Sequence, residues 1–154
     1  MAVQTHRSHR KPPFRSSKII VAVAVFLILV FAVELSFAQW VPSFREGREI
    51  AEREGKLILI YFYEERCAYC RRMEELVFPD RRVDEVIGKA FLVVPVNVED
   101  IPQDLDRRFR TVGTPSLLVY DPATDRVVIQ LFGLQEAGEL AELLGEICRR
   151  KGRC

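Results

Sequence analysis

The stretch Leu57-Ile58-Leu59-Ile60-Tyr61-Phe62-Tyr63 runs into Glu64-Glu65-Arg66 and then into Cys67-Ala68-Tyr69-Cys70-Arg71-Arg72-Met73. Its first seven residues are continuously apolar or aromatic and rich in strand formers, which predicts a central strand buried on both faces. From Cys67 the period becomes helical. Cys70, Met73 and Val77 fall on one side, with Arg71, Arg72, Glu74 and Glu75 on the other, until Pro79. Two cysteines therefore stand at the start of a helix that follows a buried strand.

Upstream, Ser43-Phe44-Arg45-Glu46 reads as a capping box that opens an amphipathic helix, and Gly55 supplies its stop. Downstream, Val83, Val86, Ile87 and Ala90 mark a short helix, and residues 91–98 a second strand in which Pro95 hints at an edge. Residues 103–109 read as a helical turn or two. Residues 116–120 and 126–131 are strands joined by Asp121-Pro122-Ala123-Thr124-Asp125, a turn-rich link that predicts a hairpin. Gly133 ends the last strand, and Leu140, Leu143, Leu144 and Ile147 form the buried stripe of a C-terminal helix closing near Arg149. The fold class is α/β, a mixed sheet of about four strands with helices on both faces. Met73, Phe78 and Phe91 are read as core.

The chain has 154 residues, enough for one domain and a short appendage, and its net charge is +1. The charge is uneven, because Arg7, Arg10, Lys11, Arg15 and Lys18 all precede the first acidic residue, Glu34. Residues 39–154 keep 18 of the 23 basic side chains and 21 of the 22 acidic ones, a net −3. A slightly acidic domain offers no broad attraction for phosphate, so nucleic-acid partners are excluded.

After the basic stretch, residues 19–33 are almost wholly apolar, the layout of a signal sequence. Residues 1–38 are expected to be a signal peptide, cut after Ser36-Phe37-Ala38, or an uncleaved anchor that Leu35 to Val41 could lengthen. Residues 39–154 are expected to be the folded domain. The basic residues before the apolar run place the N-terminus in the cytoplasm and the domain across the membrane, in the periplasm. Membrane contact then comes only through residues 19–38, and only if they stay.

The strand, loop and helix carrying Cys67-Ala68-Tyr69-Cys70, with Val112-Gly113-Thr114-Pro115 before a later strand, resemble the thioredoxin superfamily. Arg71-Arg72-Met73, Val77-Phe78, Asp80 and Val83 look closest to its exported thioredoxin-like members. The resemblance covers about residues 43–148. It implies a thioredoxin fold, a thiol:disulfide oxidoreductase, a cis Pro115 beside the cysteine pair, and no cofactor beyond the redox-active Cys67–Cys70 disulfide. The partners it implies are protein thiols and disulfides, with a membrane protein as electron donor.

The residue types suit that chemistry. Exchange needs a thiolate, which a free cysteine supplies poorly at neutral pH, and a helix N-terminus stabilises the anion. Cys67 is thus the expected nucleophile, and Cys70, one helical turn on, the expected resolving thiol. Thr114 and Pro115 are the expected substrate-binding residues, Pro115 keeping a backbone donor away from the sulfur. Arg66, Arg71 and Arg72 favour the thiolate while Glu64 and Glu65 oppose it, and Ala68 and Tyr69 tune the potential from inside the motif. Where thioredoxin has a buried acid in the preceding strand, this chain has Tyr61. A phenol is a poor base at pH 7, so Tyr61 is read as packing, with Glu64, Glu65 or water as proton acceptor. These departures leave the direction of electron flow open, so the alternatives are a dithiol oxidase of the same fold or a non-catalytic thiolate module that binds a soft metal such as Cu(I) or docks a partner.

A zinc site is disfavoured, because only one C-x-x-C exists and no histidine follows His9. Cys148 and Cys154 are compatible with a disulfide or with unpaired thiols. The run Arg149-Arg150-Lys151-Gly152-Arg153 reads as a solvated helix end that complements the helix dipole.

Overall fold

The structure, a computed structural model, describes residues 38–111 and 113–154. The basic and apolar leader through residue 37, and Val112, lie outside the described residues. No helix among those described is long and apolar enough to cross a membrane.

The elements are β1 (Gln39–Trp40), α1 (Phe44–Glu54), β2 (Leu57–Tyr63), α2 (Ala68–Arg72) running on as a π-turn (Met73–Val77), α3 (Arg81–Ala90), β3 (Phe91–Asn97), α4 (Gln103–Arg108), β4 (Ser116–Asp121), β5 (Arg126–Phe132) and α5 (Ala137–Lys151). The strands form one sheet in the order β1-β3-β2-β4-β5. β1, β3 and β2 are parallel, and β4 and β5 join antiparallel.

β2 explains its own composition. It is flanked by β3 and β4, and alternate residues enter two cores. Leu57, Leu59 and Tyr61 pack with Met73, Val83, Ile87, Leu140 and Leu144 from the α2, α3 and α5 side. Ile58, Ile60 and Phe62 pack with Phe44, Ala51, Leu105 and Phe109 from the α1 and α4 side. A strand covered on both faces has no polar position to spare, which is why the sequence shows a run and not an alternation.

The sheet has five strands, one more than the sequence predicts. β1 escapes notice because two residues carry no periodicity; it exists through its pairing with Leu92 and Val93. Residues 39–41 pair with β3. Val41 is buried and its N–H donates to the Val93 carbonyl at 2.9 Å. Pro95 is also explained. Val93 turns its carbonyl towards β1, alternation turns the Pro95 nitrogen the same way, and β1 has ended by that level, so the missing donor leaves no gap in the ladder.

The helix boundaries follow from their caps. The Ser43 hydroxyl accepts the Glu46 N–H at 3.3 Å, and Gly55 closes α1 in the left-handed region at φ 68°. Asp80 opens α3 by accepting the Arg82 N–H at 2.9 Å. α5 runs two residues beyond the sequence expectation. Gly152 (φ 63°) donates to the Arg149 carbonyl and Arg153 to that of Cys148, both at 3.0 Å, and these bonds close the solvated basic end of the helix. Beside it, Cys148 and Cys154 form a disulfide with Cα atoms 5.3 Å apart, which resolves the alternative left open by their spacing.

Candidate active site

β2 ends at Tyr63, and three residues later the chain enters α2 with Cys67 as its N-cap. The Cys67 sulfur accepts the Cys70 N–H at 2.9 Å, and the Cys67 N–H donates to the Glu64 carbonyl at 3.3 Å. Cys67 and Cys70 are disulfide-bonded, their Cα atoms 5.2 Å apart. Cys67 is 7% exposed and Cys70 1%. Of the two sulfurs, that of Cys67 thus belongs to the more accessible residue and faces a free helical N–H. On reduction the same N–H would face a thiol or thiolate, and a charge-assisted bond favours the thiolate.

The helix that begins here does not stay α-helical. After Arg72 it widens, and the Phe78 N–H reaches the Met73 carbonyl at 2.9 Å across a π-turn. The extra residue brings both Val77 and Phe78 to the core side, where Phe78 meets Trp40 (ring centroids 5.2 Å apart) and Tyr61 (5.0 Å).

Tyr61 is buried beneath the pair. Its hydroxyl lies 3.2 Å from the Cys70 carbonyl and 3.1 Å from Glu74 Oε1, both acceptors for its single proton. Burial, with the Glu74 carboxylate beside it, raises the phenol above its ordinary value, so Tyr61 is a neutral donor. Its ring also stacks on Tyr63 with centroids 5.6 Å apart. Glu74 is the site residue that sequence reasoning missed. Its only signal is its place one turn beyond Cys70, at the edge of what reads as a solvated charged face.

The loop before β4 meets the motif from the other side. The Thr114–Pro115 peptide bond is cis, and the Pro115 carbonyl accepts the Gly133 N–H at 2.8 Å. Ser116, the first residue of β4, pairs with Phe62 near the end of β2, so the loop abuts the segment leading to Cys67. The Thr114 hydroxyl donates to Glu64 Oε1 at 3.0 Å. Inside the loop, the Thr111 and Ser116 hydroxyls lie 2.8 Å apart.

Of the residues singled out on sequence, the structure thus links Cys67, Cys70, Tyr61, Glu64 and Thr114 through bonds. Glu65, Arg66, Ala68, Tyr69 and Arg71 are exposed around them, Tyr69 at 59%. Among the described residues, no three His, Cys, Asp or Glu side chains gather as a metal site.

Comparison with known proteins follows the same outline. Curated relatives include the thiol:disulfide interchange protein DsbD of Salmonella typhi, 30% identical over 79 residues, which are 49% of this chain and 14% of that protein. The protein of the same name from Ralstonia nicotianae is 27% identical over 94 residues, 60% of this chain and 16% of its own length. The chain therefore spans only a small fraction of these relatives. Among solved structures, a thioredoxin from Thermus thermophilus superposes with a TM-score of 0.66 at 31% identity, over 76% of this chain and 92% of that one. The oxidised C-terminal domain of DsbD from Neisseria meningitidis shares the fold, with a TM-score of 0.55 at 18% identity over 66% of this chain and 90% of that domain. The family model described as a thioredoxin-like domain matches residues 44–147, from the first residue of α1 to within a turn of the end of α5, and the chain belongs to that family.

Proposed function

We propose that this protein is a thiol:disulfide oxidoreductase that reduces or exchanges disulfides in exported proteins, with Cys67 as attacking thiol and Cys70 as resolving thiol. The observation that carries the reading is the 2.9 Å contact from the Cys70 N–H to the Cys67 sulfur at a helix start, within a closed Cys67–Cys70 disulfide.

In the reduced protein the Cys67 thiolate attacks one sulfur of a substrate disulfide. The substrate S–S bond breaks, a mixed disulfide forms, and the departing sulfur takes up a proton. Cys70 then loses its proton and attacks Cys67, which closes the Cys67–Cys70 bond and releases the second substrate sulfur as a thiol. Two electrons pass to the substrate, and the enzyme is left oxidised. An extended substrate segment lies along Thr114 and Pro115, at the open end of β4. A membrane protein returns two electrons to the disulfide, and residues 1–38 deliver the domain to the periplasm as a signal peptide or anchor. The support is the family, the name carried by the DsbD relatives, and the basic-then-apolar leader.

Dithiol-driven insulin reduction tests the reading. Wild type is expected to exceed the uncatalysed rate by at least about 100-fold, and Cys67→Ser to return to background. A Cys67→Ser protein as active as wild type would end the proposal. The reduction potential of the pair decides direction, a value near the thioredoxin end marking a reductant and a strongly oxidising one a dithiol oxidase.

A further inference from the structure

Glu64 holds two parts of the site at once. Its backbone carbonyl receives the Cys67 N–H at 3.3 Å, and its carboxylate receives the Thr114 hydroxyl at 3.0 Å. Glu64 and Thr114 lie 50 residues apart in sequence, and their side-chain bond is partly shielded from water. On the far side, the Thr111 and Ser116 hydroxyls meet at 2.8 Å, and Thr111 Oγ1 donates to the Gly113 carbonyl at 2.9 Å, so the loop before β4 is braced internally. Pro115 and Ser116 are held by Gly133 and by β2, and the bond to Glu64 ties Thr114 to the segment that leads to Cys67.

We propose that Glu64 is a positioning residue for substrate, setting the placement of the Thr114 edge relative to the Cys67 sulfur through its bonds to both. The inference rests on Cys67 being the attacking thiol. A protein disulfide presents both a sulfur to Cys67 and a length of backbone to the Thr114 edge, so it reacts well only if the two are in register. A small disulfide presents a sulfur alone. The strut therefore separates the two kinds of substrate. It also assigns Glu64 a role distinct from its charge, because any acceptor of the same shape would hold Thr114.

The test compares insulin with a nitrobenzoate disulfide, using the reduced full chain. Glu64→Ala is expected to raise KM for insulin about tenfold, the loss of one hydrogen bond to a charged acceptor. The nitrobenzoate disulfide reports the separate effect of removing this carboxylate from beside Cys67, so the ratio of the insulin rate to the nitrobenzoate rate should fall about tenfold. Glu64→Gln keeps an acceptor oxygen and should bring KM back to within about threefold. Thr114→Val should reproduce Glu64→Ala, Thr114→Ser should not, and the double variant should be no worse than either single one. If Glu64→Ala fails to fold, the Thr114 pair carries the same test. The strut is overturned by an unchanged insulin KM in Thr114→Val, by insulin and nitrobenzoate rates falling together, or by Glu64→Gln behaving like Glu64→Ala. A wild-type protein inert towards insulin, or an active Cys67→Ser variant, would instead defeat the assignment of Cys67 and the strut with it.

Discussion

The Tyr61 hydroxyl has one proton and two acceptors, the Cys70 carbonyl and Glu74. The charged Glu74 carboxylate is the stronger of the two acceptors. Replacing Tyr61 by Phe removes about 1 kcal/mol of hydrogen bonding and leaves the aromatic packing against Trp40, Tyr63 and Phe78 in place. It also changes the alkaline limb of stability. The phenol is raised in the folded protein, so its contribution is complete below the ordinary value of 10.0 and is lost as pH rises above it. Urea midpoints measured from pH 8 to 11 should therefore fall more steeply for wild type than for Tyr61→Phe; parallel curves would show that Tyr61 does not titrate as described. Of these residues, Tyr61 was legible as buried because the whole of β2 is apolar. Glu74 was not, because a carboxylate among Arg71, Arg72 and Glu75 reads as solvated face, and only the tertiary packing of β2 under α2 reveals its partner.

At the scale of elements, legibility tracked length and caps. β2, α1 and the hairpin announced themselves through continuous burial, Ser43 with Gly55, and a turn-rich link; β1 and the π-turn did not, because both exist only through tertiary contacts. α1 shows how tight such contacts are. A Cβ placed on Gly47 would lie 2.9 Å from Val94 Cγ2 and 3.1 Å from Val41 Cγ2, so the helix rests on β3 and the segment after β1 at a distance only glycine permits. Glycine mid-helix ordinarily costs about 1 kcal/mol against alanine, yet here the exchange should run the other way. Gly47→Ala must push α1 off the sheet or shift two buried valines, and is expected to destabilise by about 1–3 kcal/mol in chemical denaturation. A gain in stability would mean that the valines yield freely and that close packing is not the reason for this residue.

Across the whole molecule, the end of α5 is fastened at the end of the strands opposite to Cys67. Lys151 donates to Asp121 Oδ2 at 2.9 Å, at the last residue of β4, and the Cys148–Cys154 disulfide closes a ring that contains Lys151. Burial opposes the charge on Asp121, but the Lys151 ammonium, the Thr124 hydroxyl and the Ala123 N–H outweigh it and hold the carboxyl below its ordinary 3.8. That depressed value contributes stability above pH 3.8, which is lost as pH falls through the folded-state value. Lys151→Ala should therefore cost about 1.5–3 kcal/mol at pH 7 and lose less than wild type on further acidification. Cys154→Ser, which opens the ring without touching Cys67–Cys70, should cost about 2 kcal/mol through the freed chain entropy of the unfolded state. The two should not add. Once the ring is open, the last turn of α5 frays, Lys151 spends less time on Asp121, and its removal costs less than in wild type. A double-mutant cycle at pH 7 is expected to show coupling above about 0.5 kcal/mol, and additivity within that margin would mean that salt bridge and disulfide hold the helix end independently.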